Sequence, residues 1–254
     1  MRGGPTYITK TNLPTPPATQ PEGNGRTLPG TVNSRSDENL RVSDGKPGDR
    51  SPAERLGGWL FRHRGILPVP FILLLLLLGN PQPWGWTVGL PLVLSGEALR
   101  FWGVGHAGGA TRARDLRAQT LCTRGPFAHL RNPLYLGNTL MALGTVTVGG
   151  VWFLIVVQPL LYTLYYYLII RFEEPFLVRE FGAAYACYRR AVRRFIPRLS
   201  PYPERSGGDF SASDALYNER RTLTGQGIIL VLLVVLGIVL VRLGAANLWS
   251  VIFG

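Results

Sequence analysis

The sequence predicts an all-α, polytopic membrane bundle of about five transmembrane helices behind a disordered N-terminal tail. Two observations carry this. Only 17% of the 254 residues are charged while 46% are hydrophobic, against roughly 25% charged in an ordinary soluble domain. Three long stretches carry no charge at all: Gly65–Gly96 (32 residues), Asn132–Ile170 (39) and Thr222–Val241 (20). A helix crossing a bilayer needs about 20 apolar residues, and these blanks supply them. The net charge of +12 is gathered between the blanks, a pattern that excludes a soluble nucleic-acid binder, a secreted disulfide scaffold and a wholly disordered chain.

Residues 1–55 hold eight Pro and seven Gly with charges of both signs and little apolar clustering. Such a segment buries too little surface to offset its ordering entropy, so it reads as a disordered tail, and without an apolar run near Met1 it is not a signal peptide. The membrane domain then spans 56–254. Leu56–Phe61 suits an approach along the membrane surface. The first span is Gly65–Gly79, short enough for Arg62 and Arg64 to snorkel at its end. Asn80-Pro81-Gln82-Pro83 makes a turn, Trp84 and Trp86 sit as interfacial aromatics, and a second span follows over about 86–102. Glu97 and Arg100, three apart near its end, are neighbours on one helix face.

The 39-residue blank suits two helices, about 134–148 and 151–170, hinged at Gly149-Gly150. Tyr162, Tyr165, Tyr166 and Tyr167 read as an aromatic belt. Beyond them Leu177, Phe181, Tyr185, Tyr188 and Val192 form an apolar stripe beside Arg189, Arg190, Arg193 and Arg194, as in a helix lying on the membrane. A last span covers about 226–241. The tail through Arg64, the stretch Arg100–Arg131 and the stretch Arg171–Arg221 together hold 26 of the 27 Lys and Arg. Five spans put all three on one side, which the positive-inside rule makes cytoplasmic, with the N-terminus inside and the C-terminus outside. Cys122 and Cys187 then face a reducing compartment, and neither they nor the scattered His63, His106 and His129 suggest a disulfide or a metal site.

Polar residues cluster at both shoulders of the long blank: His129-Leu130-Arg131-Asn132-Pro133-Leu134-Tyr135 at one, Glu173-Glu174-Pro175 at the other. If the two spans form a hairpin, a cation, a phenol and two carboxylates return to one cytoplasmic pocket. Pro133 pushes Asn132 out of helical geometry, and Pro175 removes one helix hydrogen bond beside the glutamates.

Over roughly residues 90–198 the chain resembles the isoprenylcysteine carboxyl methyltransferases and the related phospholipid methyltransferases, which are integral membrane enzymes. The resemblance rests on Arg131-Asn132-Pro133-Leu134-Tyr135, matching Arg-His-Pro-x-Tyr with Asn132 in place of His. It rests also on Glu173-Glu174 and on the Phe181-Gly182-x-x-Tyr185-x-x-Tyr188 pattern. Asn keeps the hydrogen-bonding capacity of His but does not titrate. The resemblance implies a cytoplasmic site for S-adenosylmethionine, to which Arg131, Asn132, Pro133, Tyr135, Gly137, Glu173, Glu174 and His129 would contribute. Arg131 suits the cofactor carboxylate, and the glutamates suit its ammonium or ribose hydroxyls. Glu174 and Arg100 are the expected catalytic residues. The implied reaction is carboxyl O-methylation of a lipophilic acceptor entering from the bilayer, with N-methylation of an ethanolamine headgroup as the alternative. A nicotinamide-dependent reductase and a non-catalytic scaffold are the rival classes. The Arg-rich composition points to a bacterial cytoplasmic membrane, with membrane lipids as surroundings and no nucleic-acid or protein partner.

Overall fold

The computed structural model describes residues 52–108 and 120–245. The tail expected over 1–55 lies outside the described residues except at its end, as do Gly109, the arginines between 112 and 117, and the short apolar end of the chain. Among the described residues there are six α-helices, one short 3-10 turn and no strand. They are α1 (Pro52–Arg62), α2 (Pro68–Leu78), α3 (Pro83–Ala107), α4 (Pro133–Gly149), α5 (Trp152–Ala191) and α6 (Ala212–Leu243).

Two of the five expected spans, α5 and α6, are long and apolar enough to cross a bilayer by length and composition. Their outward faces agree with this. Trp152, Val156, Leu160 and Leu164 follow one another every four residues along an exposed stripe of α5, and Ile228, Val231, Val235 and Ile238 recur every three or four residues along one on α6. A soluble protein would leave no such continuous apolar surface in water, whereas lipid tails accept it. The first expected span is an eleven-residue helix, α2, that buries only Leu75.

Helix boundaries follow local chemistry. Pro stands in the first turn of α2, α3 and α4, where its missing N–H is no loss. The hinge at Gly149-Gly150 forms as expected: Gly150 closes α4 with φ 72°, a left-handed conformation that favours glycine. Its neighbour Gly149 accepts from the Asn80 N–H at 2.9 Å, tying the α4–α5 reversal to the α2–α3 turn. Ser211 caps α6 by accepting from the Asp214 N–H.

The tightest packing is between α3 and α4. A Cβ on Gly89 would lie 2.5 Å from the Gly144 carbonyl oxygen and the reverse holds at the same distance, while Gly96 and Gly137 oppose each other in the same way. Two backbones meet because four positions carry no side chain, the packing mode available where water supplies no hydrophobic drive. Gly137 therefore belongs to this contact.

Three sequence expectations change. The segment 56–61 packs on α5, with Phe61 buried beside Tyr162, Tyr165 and Tyr166 and the Tyr165 hydroxyl donating to the Leu60 carbonyl at 2.8 Å. Those three tyrosines are thus core residues and not an interfacial belt. Helix α5 continues through Pro175 and bends at Gly182, where φ 53° and ψ −127° exclude helical geometry. Past that bend, the apolar stripe of Tyr185, Tyr188 and Val192 packs on Ala128 and Tyr202 of the chain itself.

Replacing Gly144 by Ala is expected to destabilise the protein by about 1–3 kcal/mol, because the new methyl meets backbone that cannot step aside. Gly227→Ala on α6, where a Cβ meets nothing within 4 Å, should leave the thermal midpoint unchanged or raise it. Thermal unfolding of both variants in detergent checks the pair, and equal midpoints would refute the contact.

Candidate functional site

The α4–α5 hairpin returns its two polar shoulders to each other. The Tyr135 hydroxyl donates to Glu173 Oε1 at 2.7 Å, and the Tyr135 ring stacks on Tyr166 with centroids 4.5 Å apart. Beside them, Arg131 Nη1 lies 2.8 Å from Glu174 Oε1. Arg194, arriving from beyond the Gly182 bend, donates to both Glu174 oxygens, Nε to Oε1 at 3.0 Å and Nη2 to Oε2 at 2.5 Å.

These shoulders border a cavity of about 940 Å³, within the size range of small-molecule sites. Its polar end is lined by Arg64, Arg131, Asn132, Tyr135 and Glu173, with Phe127, Phe181, Tyr185 and Tyr188 as aromatic wall. Its other end is apolar, formed by Leu75, Met141, Val146 and Ile229 around Thr145 and Gln226. Since a helix rises about 1.5 Å per residue, the lining positions from Pro133 to Val146 carry the cavity about 20 Å along α4. Arg100 borders the passage between the two ends, donating from Nη1 to Asn138 Oδ1 at 2.5 Å.

The expected residues divide into two sets. Arg100, Arg131, Asn132, Pro133, Tyr135 and Glu173 border the cavity. Glu174, His129 and Gly137 do not. Glu174 was expected to serve as a catalytic group, but both its oxygens are held by guanidinium groups and its side chain is 8% exposed. It is a counter-ion that aims Arg131. His129 accepts the Arg198 N–H through its carbonyl at 2.9 Å and sets its Nδ1 2.9 Å from the Arg198 carbonyl oxygen. It fastens the segment after α5 to the one before α4. Asn132 Nδ2 lies 3.4 Å from the Arg194 carbonyl oxygen, so at this position an amide serves the same seam.

Residues far apart in sequence complete the site. Arg64 approaches from the α1–α2 connection, and Arg221, Thr222, Gly225 and Gln226 line the cavity from α6. Arg100 pairs with Glu219 of α6, Nη2 lying 2.7 Å from Oε1, so a contact across helices complements its place one turn from Glu97. None of these partners carried a motif; only the charge of Arg64 and the polarity of Gln226 inside an apolar span marked them. Among the described residues no cluster of three or more metal-ligating side chains occurs.

Cys122 also borders the cavity. Burial pushes its thiol above the ordinary range, only partly offset by a backbone hydrogen bond and the positive charge from Arg124. A raised thiol pKa leaves little thiolate at neutral pH, and thiolate is the reactive form. Alkylation followed by mass spectrometry should therefore label exposed Cys187 first, with Cys122 catching up as the pH rises; equal rates at neutral pH would contradict this. Glu174→Gln removes the charge that two guanidinium groups share and should cost about 3 kcal/mol, the low end for a broken buried pair because Arg194 keeps contact with water. A thermal midpoint equal to that of the unaltered protein would refute that role.

Comparison with known proteins fits this arrangement. Residues 84–184 match the model of the phospholipid methyltransferase family, a stretch running from the start of α3 to just past the Gly182 bend. The cobalt-zinc-cadmium resistance protein CzcN of Cupriavidus metallidurans is 34% identical over 165 residues, covering 63% of this chain and 75% of that protein. The nickel-cobalt-cadmium resistance protein NccN of Alcaligenes xylosoxydans xylosoxydans is 30% identical over 162 residues, 59% of this chain and 72% of its own. Methanethiol S-methyltransferase 2 of Bradyrhizobium diazoefficiens is 32% identical over 117 residues, 45% of this chain and 43% of that enzyme. No solved structure matches. With its motifs on the two shoulders of one hairpin and the Cupriavidus relative matched over three quarters of its length, the chain belongs to the phospholipid methyltransferase family, the membrane methyltransferases that include the isoprenylcysteine type.

Proposed function

We propose that the protein transfers a methyl group from S-adenosylmethionine to a lipophilic acceptor that enters between the helices from a bacterial cytoplasmic membrane. The observation that carries this reading is one cavity joining a charged end, where Tyr135 fixes Glu173 beside Arg131, to an apolar end. The residues present suit the cofactor chemically: a guanidinium for its carboxylate, a carboxylate for its ammonium or ribose hydroxyls, and an aromatic wall for its adenine. When bound, the cofactor supplies an electrophilic methyl on a sulfonium, and transfer leaves a neutral thioether.

The chain's own residues would position, discriminate and exclude water. Arg131 would hold the cofactor carboxylate, aimed by Glu174. Glu173 would hold the cationic end, its own orientation fixed by the Tyr135 hydroxyl and, through the stacked ring, by Tyr166. Phe127, Phe181 and Tyr185 would close the polar end against water. Where the attacking atom is a carboxylate or thiolate the reaction consumes charge, and a dry site that holds the reactants in line favours it. A carboxylate acceptor needs no base, being ionised at neutral pH. A thiol or amine acceptor must give up a proton, and Glu173, not the doubly paired Glu174, is the carboxylate facing the space where that proton would leave. The domain reading goes with this proposal: residues 56–254 form the methyltransferase unit, with basic segments and N-terminus on the cytoplasmic side.

Calorimetric titration with S-adenosylhomocysteine is the first test. Glu173→Gln and Tyr135→Phe should each weaken binding by about tenfold, equivalent to one lost charge-assisted hydrogen bond; binding unaffected by both would overturn the assignment. Incubating membranes with methyl-labelled cofactor then separates the acceptors. Label in a base-labile ester marks O-methylation, label in ethanolamine lipid marks N-methylation, and label in a thioether marks the S-methylation that the name of the Bradyrhizobium relative suggests.

A further inference from the structure

We infer that Glu219 sets the charge selectivity of the acceptor site: by cancelling Arg100 in the wall of the cavity, it makes the site one for an uncharged alkyl-chain nucleophile instead of a carboxylate. The inference rests on the methyl-transfer reading for its purpose but on this chain's own charges for its content.

A guanidinium bordering an apolar passage is, by itself, a carboxylate receptor, because its fork of donors matches two oxygens. In this protein the fork is already filled. Arg100 Nη2 lies 2.7 and 2.8 Å from the two Glu219 oxygens and Nε lies 3.2 Å from Oε2, while Nη1 is taken by Asn138. Glu219 is fully buried and Arg100 only 12% exposed, so water does little to weaken the pair. An acceptor carboxylate beside Arg100 would have to displace Glu219 into an apolar interior or sit next to it as a second negative charge, and both are costly.

Other cations bordering the cavity do not restore the balance. Arg131, beside Glu174 at the polar end, is taken by the cofactor carboxylate in the methyl-transfer reading, and Arg64 lies over the Phe61 ring, 4.5 Å from its centroid, with its charge acting on Glu173. Arg221 is exposed to solvent and correspondingly screened. Among the apolar lining residues, Gln226 donates to Thr145 Oγ1 at 2.8 Å and Thr145 donates in turn to the Met141 carbonyl at 2.8 Å, and neither side chain carries a charge to offset Glu219. Glu219 lies beyond the stretch matched by the family model, so this selectivity belongs to α6 of this chain.

The test uses full-length protein in lipid nanodiscs, titrated with decanethiol and with decanoate, each with and without S-adenosylhomocysteine. The unaltered protein should bind decanethiol more tightly than decanoate by about tenfold or more. Glu219→Gln should tighten decanoate by a similar factor with decanethiol little changed, and adding Arg100→Gln should abolish that gain. Should Glu219→Gln fail to fold, Glu219→Asp, which keeps the charge, must keep the thiol preference. Decanoate bound as tightly as decanethiol by the unaltered protein would overturn the inference, as would a loss of both ligands in equal measure in folded Glu219→Gln. Failure of S-adenosylhomocysteine to bind would instead count against the methyl-transfer reading, and the alkyl preference measured without it still decides the role of Glu219.

Discussion

A charge inside an apolar bundle must be matched where it stands, because neither lipid nor a packed helix interface can solvate it. The polar half of this protein follows from that requirement. Glu174 sits between Arg131 and Arg194, and Glu219 is gripped by Arg100. Each pair joins helices or segments distant in sequence, so charge matching also decides which elements can lie together. The result is a cavity whose wall presents directed donors and acceptors with little loose charge, suited to orienting a zwitterionic ligand.

Backbone geometry makes those matches reachable. The α3–α4 crossing brings Gly89 against Gly144 and Gly96 against Gly137, and so draws Arg100 up to Asn138. Gly182 turns the end of α5 back, which returns Arg194 to Glu174 on the same helix twenty residues earlier. That bend also lets Tyr188 donate to the Phe127 carbonyl at 2.8 Å, tying the end of α5 to the 3-10 turn before α4. Gly182 needs no room for this, since a Cβ there would meet nothing within 4 Å; it is the positive φ that selects glycine.

Much of this was legible in the residue order. A 39-residue blank is too long for one span, Gly149-Gly150 supplies the reversal, and a hairpin of two comparable arms must bring its shoulders together. The Tyr135–Glu173 hydrogen bond is the outcome. The roles within the glutamate pair were not legible, because adjacent residues on a helix point about 100° apart and only the surroundings say which one faces the cavity. The burial of Tyr162, Tyr165 and Tyr166 is not legible for a related reason: an aromatic cluster near a helix end suits a lipid interface and a packed core equally well until the neighbouring helix is known.

Periodicity, blank length and turn chemistry are local properties, and they determined the helical class, the hairpin and the two polar shoulders without reference to anything distant. Which guanidinium meets which carboxylate is a long-range question, settled only when α6 packs beside α3 and the chain after Gly182 folds back. The partners Glu219 and Arg194 carried no local signal, because an ion pair is defined by a distance in space that the spacing along the chain does not encode.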